Sequence, residues 1–214
     1  VEDGPDLPFY AVTDAASAHE HCRALAERAG FDLYITTEGK LTFAAFSKAA
    51  PDRTFTYGQD VLSLAVTTVP QAFDRVEVWG ESPASSEGIE TASWLVRDFS
   101  SSLGSAGSGA LLRISDPAIR TRDAAQASAK GRLANLVRRT TFGVAVVLGN
   151  AEVALGDAVK FLQTPDDRLG GVFQVKRVTH RFDKVNGFIT QLELWGCGSG
   201  APPRGAAARW RGWA

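Results

Sequence analysis

Apolar and polar positions alternate along most of this chain, and in two places they recur every three or four residues instead. From Thr13 or Asp14 to Ala29, Ala15, Ala18, Cys22, Leu25, Ala26 and Ala29 fall on one helical stripe. Thr13 and Asp14 are suitable N-caps, and Gly30 suits the left-handed position after a helix. Phe31, Leu33 and Ile35 then alternate with polar residues, as do Leu41 and Phe43. A three-residue loop, Thr37-Glu38-Gly39, sets Ile35 against Leu41 and Leu33 against Phe43, so the hairpin has one apolar face. Leu62, Leu64 and Val66 form a further alternating run, and Val76 and Val78 another that ends at Gly80. Residues 81–109 are rich in Ser and Gly and read as a long loop, with Trp94-Leu95-Val96 as a short strand inside it.

The second helix is expected from a Thr121 cap to about Arg139, with Ala125, Ala129, Leu133, Leu136 and Val137 on one face. Gly131 in its middle costs about 1 kcal/mol relative to Ala, which calls for close packing or a bend. The apolar run Val144–Leu148 follows, then a Gly156-Asp157 turn, Val159 and Phe161, and a strand over Val172–Phe182. Asn186-Gly187 signals a two-residue hairpin. That turn pairs His180 with Glu193 and Val178 with Trp195, leaving apolar residues on both faces of the hairpin. Such a sheet needs cover on both sides, from this chain or a neighbouring subunit. The fold class expected is α+β, dominated by antiparallel strands in barrel-like modules with two packing helices. The segments are 1–80, a Ser/Gly-rich connection over 81–110, a helix with a β module over 111–197, and an Arg/Trp tail over 198–214.

Composition narrows the classes. The 214 residues are 44% hydrophobic and 22% charged with a net charge of −1, which excludes an intrinsically disordered chain. The longest apolar run is far short of the roughly 20 residues that span a bilayer, so no membrane anchor is expected. No basic start with an apolar stretch behind it marks a signal peptide, and the absence of Met suggests that translation did not begin at Val1. Two cysteines, Cys22 and Cys197, exclude a disulfide framework. Residues 1–100 hold 16 acids and 7 bases, whereas residues 101–214 hold 8 acids and 16 bases. This polarity suits an anionic ligand or subunits that meet with opposite faces. With no Lys/Arg run longer than two, direct nucleic-acid binding is the weaker reading.

The order of motifs resembles a family. A helix precedes a hairpin, Val76-Glu77-Val78-Trp79-Gly80 ends a strand, and an Ala-rich helix follows Ser115-Asp116-Pro117. Then come Leu155-Gly156-Asp157-Ala158-Val159, Gly170-Gly171-Val172-Phe173-Gln174-Val175, Val178-Thr179-His180 and Gly187-Phe188-Ile189-Thr190. Over Thr13 to Gly196 this pattern is similar to the baseplate hub proteins of contractile phage tails and related injection systems, the late control protein D and VgrG group. The resemblance implies a non-enzymatic subunit of a trimeric ring that joins the sixfold tail tube to the threefold spike. Implied partners are other copies of the chain, tail tube protein and central spike protein, with tape measure protein as a further candidate. The implied location is the baseplate of a virion or injection particle assembled in a bacterial cytoplasm. Family members usually carry a further N-terminal β segment that has no counterpart here.

Candidate chemistry is sparse. His19 and His21 are two apart on a helix and point in nearly opposite directions, so they cannot share a metal ion. Pro165-Asp166 with Gln174-x-Lys176 resembles a metal-dependent nuclease pattern, with Gln174 where a second carboxylate is expected. A nuclease using Asp166 and Lys176 is therefore the alternative function. No catalytic, cofactor or metal site is assigned. The residues expected at subunit interfaces are Val178, Phe188 and Trp195 in the last hairpin, with Trp210 and Trp213 in the tail.

Overall fold

A computed structural model describes residues 3–7, 10–46, 50–83, 95–97, 103–166 and 169–196. Its elements are α1 (Ala18–Ala29), β1 (Asp32–Ile35), β2 (Leu41–Ala44), β3 (Arg53–Thr56), β4 (Val61–Thr68), β5 (Arg75–Trp79) and β6 (Glu81–Pro83). They continue as β7 (Leu95–Arg97), β8 (Leu103–Gly107), β9 (Leu111–Ser115), α2 (Arg122–Arg139), β10 (Thr141–Leu148), β11 (Ala158–Leu162), β12 (Val172–Asp183) and β13 (Gly187–Gly196). The fold is α+β and β-dominated, with two helices among the described residues, as the residue pattern indicates.

The principal sheet has the order β3-β11-β12-β13-β10-β4, and it draws strands from both halves of the chain. Its two edge strands are consecutive in sequence, joined only by Tyr57–Asp60. Six flat strands would set those edges about 24 Å apart. Five peptide steps reach at most about 18 Å. The sheet therefore curls, and the link is stitched to the strands on either side. Tyr57 N–H donates to the Leu162 carbonyl at 2.9 Å, and Leu148 N–H donates to the Asp60 carbonyl at 2.8 Å. The Asp60 carboxylate also accepts from Thr56 N–H at 2.9 Å. The curl encloses a core that includes Phe55, Val147, Phe161, Phe173, Leu192 and Leu194.

A second core forms where α2 lies on the sheet β8-β5-β9, around Val76, Val78, Ile119 and Ala125. Small residues set the spacing. Ala124, Ala125, Ser128 and Ala129 are the buried face of α2, and a side chain at Gly104 of β8 would collide with the Ala125 backbone. The glycine-rich stretch read as a loop is thus partly strand: β8 pairs with β5 from Arg75↔Gly107 to Trp79↔Leu103. Glycine there admits the helix, at the expense of the strand pattern in the sequence. The strand expected at Trp94-Leu95-Val96 is β7, paired with β6; Trp94 lies outside the described residues.

Three local expectations change. α1 begins at Ala18, because Ser17 and Glu20 form a capping box that outcompetes Thr13 and Asp14. Its Gly30 end is left-handed, as expected, at φ 74°. The β1–β2 register is the one expected, with Ile35 opposite Leu41 and Leu33 opposite Phe43. The β12–β13 register differs: His180 pairs with Thr190 instead of Glu193, and Val178 with Leu192 instead of Trp195. The cause is Asp183, whose carboxylate accepts from the backbone N–H groups of Val185 and Asn186 and from the Asn186 amide. That cap enlarges the loop to Lys184–Asn186 and places Gly187 at φ 71°. The offset of three residues inverts the face assignment. Val178, Phe182, Phe188, Leu192 and Leu194 share one face, while Arg177, Gln191, Glu193 and Trp195 share the other. The hairpin is consequently more amphipathic than its sequence suggested.

Gly131 is explained by close packing, since a Cβ there would lie 2.6 Å from the Ala29 carbonyl oxygen and 2.8 Å from Gly30 Cα. Replacing Gly131 with Ala in an isolated helix would gain about 1 kcal/mol. In this chain Gly131→Ala should lower stability by about 1–3 kcal/mol, because the α1–α2 crossing must open. Urea unfolding measures it, and a raised midpoint would show that the crossing is not tightly constrained.

Candidate functional site

Two kinds of side chain stand out on the curled sheet: apolar groups on its outside, and a buried charged junction at its base. On β10, Ala145 and Val147 are buried in the core, so Phe142, Val144, Val146 and Leu148 point outward. Phe142, Val144 and Leu148 are all exposed. Their outward neighbours on β13 are Trp195, Glu193 and Ile189, and on β4 they meet Ser63, Ala65 and Thr67. The apolar run Val144–Leu148 is therefore the strand that is apolar on both faces, in place of the last hairpin.

The junction is built around Asp32 at the start of β1. Its carboxylate accepts from Lys176 Nζ at 2.8 Å, from Gln174 Nε2 at 2.5 Å, and from both terminal nitrogens of Arg138 at 3.4 Å. Arg138 donates in addition to Gln174 Oε1 at 3.1 Å and to Asn135. Gln174 and Arg138 are buried. Burial pushes the Asp32 carboxyl up, but the hydrogen bonds from Lys176 and Gln174 and the charges of Lys176 and Arg138 outweigh it and hold its pKa below the usual carboxylate value. Burial pulls the Lys176 ammonium below its usual value, and Asp32 offsets that only in part. A cavity of about 100 Å³ adjoins the junction, lined by Tyr34, Leu155 and Gly156 among others.

The residues expected at an interface do not form one patch. Val178 is half-buried against the barrel core. Phe188 is exposed near the hairpin tip, its ring 5.7 Å from that of His180. Trp195 is on the opposite face, half-buried, with Lys176 Nζ 4.5 Å and the Arg139 guanidinium 5.3 Å from its ring. Trp210 and Trp213 lie outside the described residues. Of the alternative nuclease pair, Lys176 is held by Asp32, and the Asp166 carbonyl accepts from Leu169 N–H in a turn. His21 bonds the Tyr10 hydroxyl at 3.0 Å. Among the described residues no group of three or more His, Cys, Asp or Glu side chains could hold a metal ion.

Sequence reasoning missed the Asp32 junction. Its members are spread from β1 to α2 and β12, too far apart in sequence for a local pattern to join them. The only local signal was a Gln and a Lys two apart in an otherwise apolar strand start. The β10 stripe carried a plainer signal, five consecutive apolar residues.

No known family profile matches the chain, and no curated protein sequence does. Solved structures do. The chain superimposes on the 43 kDa tail protein of prophage MuSo2 from Shewanella oneidensis with a TM-score of 0.64 at 14% identity, over 86% of this chain and 56% of that one. On the tail protein from Neisseria meningitidis MC58 the TM-score is 0.61 at 16% identity, over 92% and 60%. A chain from the virion of a native gene transfer agent particle gives 0.60 at 16% identity, over 87% and 40%. The chain has the fold of these tail and virion proteins. It spans about half the length of each.

Removing the Asp32 carboxylate would leave the buried Arg138 and the half-buried Lys176 without their counter-charge. Asp32→Ala should therefore cost about 3–5 kcal/mol. Because the folded pKa is depressed, the unfolded chain binds this proton more readily. The Asp32 contribution is thus fully present above the ordinary value of 3.8 and is lost as pH falls through the folded value. Urea midpoints across the acid range check this: Asp32→Asn should flatten that limb, and an unchanged limb would remove Asp32 from the account.

Proposed function

We propose that this chain is a structural, non-enzymatic subunit of a phage tail or a related injection particle, acting as its baseplate hub. In this reading three copies close into a ring that receives tail tube protein on one side and the central spike protein on the other, with tape measure protein as a further neighbour. The observation that carries the proposal is the backbone likeness over 86% and 92% of the chain to two tail proteins. The virion chain with the same fold supports it. The motif order from Thr13 to Gly196 supports the hub in particular.

The outer surface is consistent with an assembled protein. An apolar stripe along β10 and an exposed hairpin tip are costly for a solitary chain and useful in an interface. Val178, Phe188, Trp195, Trp210 and Trp213 remain the proposed interface side chains. Phe188 is the one with the most direct access, because Trp195 already carries two cations. A contact at Trp195 would bury those cations further.

Immunogold labelling of purified particles with antibody against this chain tests the reading. Label confined to one end of the tail is expected. Label along the whole tube, or particles that lack the chain by mass spectrometry, would overturn the hub assignment.

A further inference from the structure

The most exposed large apolar side chains in the described structure sit at the β12–β13 tip. Phe182 is 84% exposed and Val185 is 91% exposed. Arg181 and Lys184 flank them, and Arg177 lies further down β12. The one acid at the tip, Asp183, accepts from Val185 and Asn186, keeps its charge and pairs with Arg181 at 3.9 Å, while Arg177 pairs with Glu193 at 2.9 Å. The tip is thus a set of apolar anchors with an excess of positive charge, most plainly at Lys184.

A surface of opposite character lies along α1. From Asp3 to Glu20 the chain carries Asp3, Asp6, Asp14 and Glu20 and not one Lys or Arg. All four acids are exposed, and so is Val12 at 74%. The described residues of this segment touch the helix, and Phe31 just after it, at several points. Gly4 lies near Ala29 and Phe31, Tyr10 bonds His21 and lies under Arg28, and Thr13 bonds His21. The layer these acids form with α1 remains acidic, because the helix's own cations are paired, Arg23 with Glu27 and Arg28 with Asp116.

The two surfaces are set apart along β12: Asp32, which follows α1, bonds Lys176 near the start of that strand, and the tip lies at its other end. α1 packs on α2, and the last turn of α2 reaches the sheet at Trp195 through Arg139. Phe188 is seven residues away along β13, about 23 Å at strand spacing. The tip is at the end of β12 remote from the Asp32 junction, so a contact between copies can bring the two surfaces together.

We infer that the basic β12–β13 tip of one copy docks on the acidic α1 layer of the next, with Phe182 and Val185 as apolar anchors and a second copy of this chain as the occupant. Because two different patches meet, the contact is head-to-tail, the type that generates a ring when its rotation closes. Complementary charge sets the orientation and the register of such a contact. The inference rests on the ring reading above and names the surfaces that would make the ring.

Sedimentation of the full chain across protein and salt concentrations tests it. The unmodified chain should assemble, and less so as salt rises. Arg181→Glu with Lys184→Glu, or Asp6→Lys with Asp14→Lys, should each weaken assembly at least about tenfold through like-charge contacts. All four changes together should restore it. Val185→Ser should weaken assembly with no change in charge. These positions are exposed, and urea midpoints matching the parent would show that the fold is intact. The inference is overturned if the charge-reversed pairs assemble like the parent, or if the fourfold variant assembles no better than the pairs. It is equally overturned if the unmodified chain stays single at every concentration, including the case where the tip instead captures purified tube protein. If end-labelling of particles holds while the charge exchange fails, the hub reading stands and this contact falls.

Discussion

Closure of the six-stranded sheet by the Tyr57–Asp60 link governs most of this structure. The edge strands β3 and β4 are held within reach of one another by four residues, so the sheet must curl. A curled sheet has an inside, which the core around Phe161 and Leu192 fills, and an outside that this core does not cover. Once the curl exists, alternation along β10 gives Ala145 and Val147 to the interior and leaves Phe142, Val144 and Leu148 facing out. The exposed stripe is thus a consequence of closure combined with an unbroken apolar run.

Beside that barrel, α2 links the layers by two physical means. Small residues bring backbones close, at Gly104 against Ala125 and at Gly131 against Gly30. Buried charges then fix which elements meet. Asp116 accepts two bonds from Arg28, at 2.8 and 3.0 Å, and a longer one from Arg132 at 3.4 Å, joining α1, α2 and the end of β9. Asp32 does the same for β1, α2 and β12. Buried pairs of this kind add little net stability over apolar substitutes, yet losing one partner is expensive. Here they tie α1 to the end of β9, and β1 to β12, each through α2.

Much of this was legible in the residue pattern, and the exceptions have physical reasons. The β1–β2 register followed from apolar pairing, and α2 from its Thr121 cap and periodicity. Asn186-Gly187 misled because turn residues specify a turn without its loop length; the Asp183 carboxylate decided that. β8 was hidden by glycines needed for contact with a helix distant in sequence. β3 is four residues long and finds its place through a parallel pairing with β11, a non-local partner no window on the sequence contains. The site was harder than the fold. A catalytic cluster announces itself by residue type, whereas an assembly surface is made of Phe, Val, Arg and Asp that could equally belong to a core or a solvated face. Only burial separates those cases, as it did for Trp195, half-buried under two cations, and Phe182, almost wholly exposed.

The proposed role makes this chain a repeating part of a closed assembly. Native mass spectrometry of the unmodified chain counts the copies directly. The account predicts a discrete species at three times the 22.8 kDa chain mass, growing with concentration at the expense of the single chain. A single-chain species at every concentration, or an open-ended ladder of masses with no closed form, would contradict it.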